Sequence, residues 1–178
     1  MIIKKPFRLR ILIALTELLR GICPANGYQF DLAGQDEGEQ RVVRGRLVLG
    51  DREPEFMVSL IEPPNAVEPV RSRGPDNRGR ATEWDVLIQG WARDDDDNED
   101  CDLAYGLAAD VHKALATVLR SKAPGRAGAP DFLGFGPRIT DFKIGTPVIR
   151  PSEEVSGYGC FYTILTMQIV EDIAEPFG

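Results

Sequence analysis

Carboxylates are the first candidates for chemistry in this sequence. Asp94, Asp95, Asp96, Asp97, Glu99 and Asp100 crowd together, broken only by Asn98. Oxygen-rich runs bind hard cations, and a calcium loop of the EF-hand type needs ligands at alternate positions, a glycine at the sixth and a glutamate at the twelfth. Counted from Asp94, the sixth position is Glu99 and the twelfth is Tyr105, so the spacing fails. The run reads instead as a solvated turn entering a helix, where acidic side chains interact favourably with the helix dipole. Asp100 or Asp102 would then supply the N-cap. A metal-dependent hydrolase built on residues 94–100 is an alternative, but no histidine or distant carboxylate partner for it is identifiable.

The other chemistry-bearing residues are sparse. His112 is the single histidine and the one possible base for a serine or cysteine nucleophile. No GxSxG elbow accompanies it, so His112 reads as a helix-surface or interface residue. Cys23, Cys101 and Cys160 are odd in number and lack CxxC spacing. They read as free thiols of a reducing compartment, not as a disulfide or zinc framework. Neither GxxxxGK[ST] nor a strand-to-helix GxGxxG occurs, so no phosphate loop and no cofactor site is expected. Trp84 and Trp91 read as packing residues. Arg71, Arg73, Arg78 and Arg80 lie in a proline- and glycine-rich stretch without the interleaved aromatics of a single-strand binder.

The elements that must position these residues follow from periodicity. Residues 82–92 form a largely apolar run with Trp84, Val86, Ile88 and Gly90 on one face, a mostly buried strand. From Asp102 the period becomes helical through residue 120, with Leu103, Leu107, Val111, Leu115 and Leu119 along one stripe. A first helix spans residues 7–20, its stripe of Leu12, Leu15 and Leu19 widened by Ile11 and Leu18, and Gly21 ends it. Alternation predicts a short strand at 28–32 and a hairpin from strands at 41–49 and 55–62. A weaker strand, interrupted by Gly145 and Pro147, is expected at 138–149, and a clear one at 158–170 with Phe161, Thr163, Leu165, Met167 and Ile169 on one face. Residues 63–80 form a long basic loop, either solvated and mobile or ordered against a partner subunit or an anionic surface. Residues 121–130 read as a small-residue linker, and the apolar segment 131–136 as a pin holding it to the body. The tail from residue 171 reads as polar and frayed.

The chain is therefore expected to be a single domain over residues 1–178 of α+β class. A mainly antiparallel sheet of about five to six strands packs against two α-helices. Its formal charge of −7 and pI near 4.8 argue against general nucleic-acid binding, which relies on neutralising phosphates with Lys and Arg. No apolar stretch approaches the length of a membrane span. Lys4, Lys5, Arg8 and Arg10 before an apolar run look like a signal peptide, but Glu17 and Arg20 interrupt that run and no clean cleavage site follows. An ordinary N-terminal helix is the expectation.

Taken in order, these segments resemble the tail-terminator (tail-completion, minor tail) proteins of long-tailed bacteriophages. The layout is an LxxLxxLL-like helix at Leu12 to Leu19 followed by Gly27-Tyr28, then a V.RGR-like strand at 42–49. Val58-Ser59-Leu60-Ile61-Glu62-Pro63-Pro64 comes next. Glu83 to Trp91 matches E-W-x-hydrophobic-Q-G-W, followed by the acidic turn and a helix at 102–115 of the form D-x-A-Y-x-L-x-x-D-V-x-x-A-L. Pro147 to Pro151 and the strand at 161–170 match the closing portion, while residues 121–136 have no counterpart. The resemblance implies a non-enzymatic virion subunit that assembles in the host cytoplasm into a homo-hexameric ring. The ring would cap the head-proximal end of the tail tube, meeting the major tail tube protein on one side and a head-completion or connector protein on the other. Genomic DNA would pass through its lumen without sequence-specific binding. A neck or connector adaptor of the same virion is the alternative. In such a ring Arg71, Arg73, Arg78 and Arg80 are expected to meet Asp94, Asp95, Asp96 and Asp97 of the neighbouring subunit.

Overall fold

The computed structural model describes residues 4–34, 40–48, 54–63, 80–121, 130–152, 157–172 and 175–177. Its central feature is a pair of long antiparallel strands, β3 (Arg80–Arg93) and β6 (Tyr158–Glu171). They run in unbroken register from Arg80 opposite Glu171 to Arg93 opposite Tyr158. Alternation puts Trp84, Val86, Ile88 and Gly90 of β3 and Phe161, Thr163, Leu165, Met167 and Ile169 of β6 on one face, all buried. The helices α1 (Phe7–Arg20) and α2 (Asp102–Leu119) cover that face, giving the α+β architecture.

Around this pair the sheet grows in the order β1-β2-β3-β6-β4, where β1 is Val42–Arg44, β2 is Phe56–Ile61 and β4 is Ile139–Ile144. A short β5 (Val148–Arg150) also pairs with β6. β4 and β5 occupy the place of the single strand expected at 138–149. Ile144 sits opposite Leu165 and Val148 opposite Tyr162, so four steps on the edge strand match three on β6, a bulge at Gly145 to Pro147. Gly145 donates its N–H to the Ile164 carbonyl at 2.8 Å, and a Cβ there would lie only 2.9 Å from that oxygen. Pro147 has no N–H to offer the ladder.

The expected hairpin at 41–49 and 55–62 is not formed. β1 runs parallel to β2, with Val42 opposite Val58 and Arg44 opposite Leu60. Gly45, at φ +78°, turns the chain off the sheet edge, and the following N–H of Arg46 donates to Ser59 Oγ on the face away from the helices. Arg46 also reaches Met57 Sδ there. A parallel partner needs such a crossover, which a two-residue hairpin cannot supply. It leaves Met57, Val58, Ser59, Leu60 and Ile61 all buried, with Ser59 the one polar side chain among them.

The strand expected at 28–32 is also absent. Asp110 of α2, 4% exposed, accepts the backbone N–H groups of Gln29 (2.6 Å) and Phe30 (2.9 Å), while Leu32 N–H donates to the Ile22 carbonyl. A carboxylate takes the donors that a neighbouring strand would have taken. Gly106, one turn earlier on α2, leaves room for the Phe30 ring, which a Cβ would approach to 2.9 Å. The α2 stripe differs at its end as well: Val118 is buried and Leu119 is 47% exposed. Leu103 is half-buried, and Ala104, Ala108 and Ala114 fill the helix face that meets the sheet.

Two further segments are tied down. In the expected pin at 131–136, Phe132 is buried and stacked on Phe142, and Phe135 meets Phe7 edge-on. Residues 122–129 of the expected linker lie outside the described residues. The tail does not fray at Pro176, whose carbonyl accepts the Phe7 N–H at 3.0 Å. That N–H is one of the donors a helix N-terminus leaves unsatisfied. Arg8 adds an ion pair to Glu171 at 3.1 Å.

Two substitutions test this packing. A Cβ on Gly90 would lie 2.2 Å from the Phe161 ring, so Gly90→Ala should destabilise the fold by about 1–3 kcal/mol, the usual range for overpacking. An unchanged denaturation midpoint would show that the ring swings clear. Asp110→Ala strips two backbone donors of their acceptor and should lower stability by about 1–3 kcal/mol in urea unfolding, with Asp110→Asn costing less because one oxygen remains.

Candidate interaction surface

The acidic turn is held by its own backbone. Beyond the end of β3, Asp94 N–H donates to the Gly157 carbonyl (3.0 Å), tying the turn to the start of β6. Asp95 Oδ1 accepts the Asp97 N–H (3.1 Å) and Asn98 Nδ2 (2.8 Å), an Asx-type turn. The Asp100 carbonyl accepts Ser152 N–H and lies where a Cβ on Gly159 would be 2.9 Å away. The helix then starts at Asp102, whose N–H donates to the Glu99 carbonyl. Cys101 occupies the N-cap and no side chain caps it, contrary to the expectation for Asp100 or Asp102. The turn satisfies that donor with a backbone carbonyl, so the carboxylates are left facing water. Asp102 still lies in the first turn, where its charge complements the dipole.

Asp95, Asp96, Asp97, Glu99 and Asp100 are exposed and Asp94 is half-buried. None of the six forms an ion pair with a described residue. Among the described residues no three His, Cys, Asp or Glu side chains converge where a metal ion could sit. The arrangement offers a dense negative surface.

Of the arginines expected opposite this turn, Arg71, Arg73 and Arg78 lie outside the described residues, as does the Arg80 side chain. Arg80 opens β3, and the acidic turn follows Arg93 at its other end, roughly 40 Å away at about 3.3 Å per residue. Arg80 and Asp94 to Asp97 therefore cannot meet within one chain. Contact between them requires a second copy.

A second basic surface lies at the β1 edge. Arg20, Gln40, Val42, Val43, Arg44 and Arg46 line an open cleft of about 280 Å³. Arg20 donates to Glu17 Oε1 (3.0 Å) and, more weakly, to the Val42 carbonyl (3.4 Å). Arg44 donates to Thr16 Oγ1 (2.9 Å), and Thr16, fully buried on α1, donates in turn to the Leu12 carbonyl. Sequence reasoning attended to the arginines of 63–80 and passed over this set. Arg44 and Arg46 are close in the sequence, but Arg20 joins them only through the fold.

His112 is half-buried on α2, beside fully buried Val111, and its Nε2 is buried without a hydrogen-bond partner. Burial lowers its pKa below the ordinary value near 6.5. Half-buried Asp141 is held below the usual carboxylate range by its hydrogen bond from Lys143. Trp84 and Trp91 are both buried, Trp84 beneath the Arg8 guanidinium on the helix face and Trp91 on the opposite face. Cys23, Cys101 and Cys160 are each half-buried, and none of them is in a disulfide among the described residues.

The depressed pKa of His112 fixes a pH dependence. The folded state favours the neutral imidazole, so its contribution is fully present above about pH 6.5 and is lost as pH falls through the folded pKa. Urea unfolding at pH 7.5 and 5.5 should show the wild type losing stability between them and His112→Gln losing less. Equal losses would remove His112 as the source.

No protein-family model matches the chain, and no curated protein matches it.

Proposed function

We propose that this chain is a structural subunit of the tail-terminator kind. Six copies would close into a ring on the head-proximal end of a bacteriophage tail tube, stop its growth and present a face to the head connector. The reading is carried by the resemblance of residues 83–91 and 102–115, the stretches that form most of β3 and the first four turns of α2. The separation of acidic and basic surfaces supports it. A ring closes through heterologous contacts, in which different patches of successive subunits meet. The carboxylates beyond one end of β3 lie apart from the basic residues at its other end and at the β1 edge, a placement that suits such head-to-tail pairing. A negative lumen would also let DNA pass with little adhesion.

The purified chain should sediment as a discrete hexamer, and adding it to polymerising tube subunits should halt elongation. A hexamer that leaves tube growth untouched would favour the neck-adaptor alternative. A chain that stays monomeric at micromolar concentration would overturn the ring.

A further inference from the structure

We infer that the acidic turn of one copy docks into the arginine cleft at the β1 edge of the next, an assignment that rests on the ring reading. The cleft has the make-up of an oxyanion site. Each guanidinium carries five N–H donors in a fixed fork, and those of Arg20 and Arg44 spend only one or two of them on the contacts described. Arg44 is steered by Thr16, whose hydroxyl sits in the buried stripe of α1 at a position where valine would fill the same volume. The Thr16 hydroxyl bridges the Leu12 carbonyl and the Arg44 guanidinium, so it orients the charge before anything binds. Arg20 is steered likewise by Glu17 and the Val42 carbonyl.

The chain carries its own complement to this cleft. The turn at 94–100 presents carboxylates without a basic partner among the described residues, on a backbone fixed by Asp95, Gly157 and Ser152. Carboxylate and guanidinium groups match as forked pairs, and several such pairs covered together at a contact are screened less than isolated surface pairs. Geometry directs the contact to another copy. Arg44 lies opposite Leu60, which lies opposite Ile88, five residues short of Arg93 and two strands away from β3. At about 3.3 Å per residue and about 4.8 Å per strand, the turn is roughly 20 Å from its own cleft, beyond the reach of an aspartate. Two complementary patches at different places on one molecule give a head-to-tail contact, the kind a ring requires.

Charge reversal with a mixing arm tests the inference on the full-length chain. Variant A carries Arg20→Glu and Arg44→Glu. Variant B carries Asp96→Lys and Asp97→Lys, positions whose side chains take no part in holding the turn. Mass photometry should find the wild type as an oligomer and each variant alone as a monomer. An equimolar mixture should return to the wild-type mass, because A's turn fits B's cleft and B's turn fits A's reversed cleft. Recovery on mixing also shows that both variants are folded. A mixture that stays monomeric overturns the inference. So does an oligomer that survives in A alone. If A survives while an Arg71→Glu, Arg73→Glu, Arg78→Glu variant dissociates, the turn's partner is the 63–80 loop, and the ring stands without the cleft. A wild type that is monomeric throughout overturns the ring and the cleft contact together.

Discussion

The long β3–β6 ladder is the constraint on which the rest of this structure depends. Fourteen-residue strands in continuous register commit every second side chain to the same face over their whole length. A slip of one residue would turn away from the helices either Trp84, Val86 and Ile88 or Phe161, Leu165 and Met167, so the register is pinned by burial and not by any turn between the strands. Gly90 shows how tightly: the Phe161 ring lies where its side chain would be. Both helices need this apolar face and both pack on it. The ladder also fixes the charge geometry, because its length holds Arg80 and the acidic turn apart.

The parts of the fold legible in the sequence are those whose signal is local and repeated. α1 coincides with its expected bounds and α2 falls one residue short, since their apolar spacing runs over several turns. β3 and β6 each run slightly past expectation. What escaped depended on partners distant in sequence. The alternation at 28–32 is that of a strand, yet its donors are claimed by Asp110, some eighty residues away. The runs at 41–49 and 55–62 look like hairpin arms, but Gly45 and the Ser59 hydroxyl send the chain across the sheet face into a parallel pairing. No window of local sequence contains the first fact, and the second lies in the pairing of the two runs and not in either run's own pattern.

The candidate surfaces were legible in part for the same reason. Six carboxylates within seven residues are visible at a glance, and the failure of their metal spacing is a matter of counting. The arginine cleft is assembled from the end of α1 and the strand that lies beside it, so Arg20 and Arg44 become neighbours only through the fold. Thr16 was hidden further still. Inside an apolar stripe it looks like a small filler, and its purpose appears only when the guanidinium above it is in place.

The acidic turn makes the functional argument in physical terms. Joining a strand to a helix takes one or two turn residues and a cap, and here the backbone supplies the key bonds through Glu99, Asp100 and Gly157. Asp95 contributes a side-chain contact, whereas Asp96 and Asp97 make no ion pair with a described residue. Like charges packed this closely repel one another and weaken the compact state. The side chains of Asp96 and Asp97 contribute no contact that holds the turn, which fits the proposed use of these carboxylates at a contact between copies. In the proposed ring a guanidinium cluster of the next copy would remove the repulsion and gain charge-assisted hydrogen bonds at the same time. On the proposed contact, relief of repulsion within a subunit would be coupled to association between subunits, and the turn would be more stable in the ring than alone.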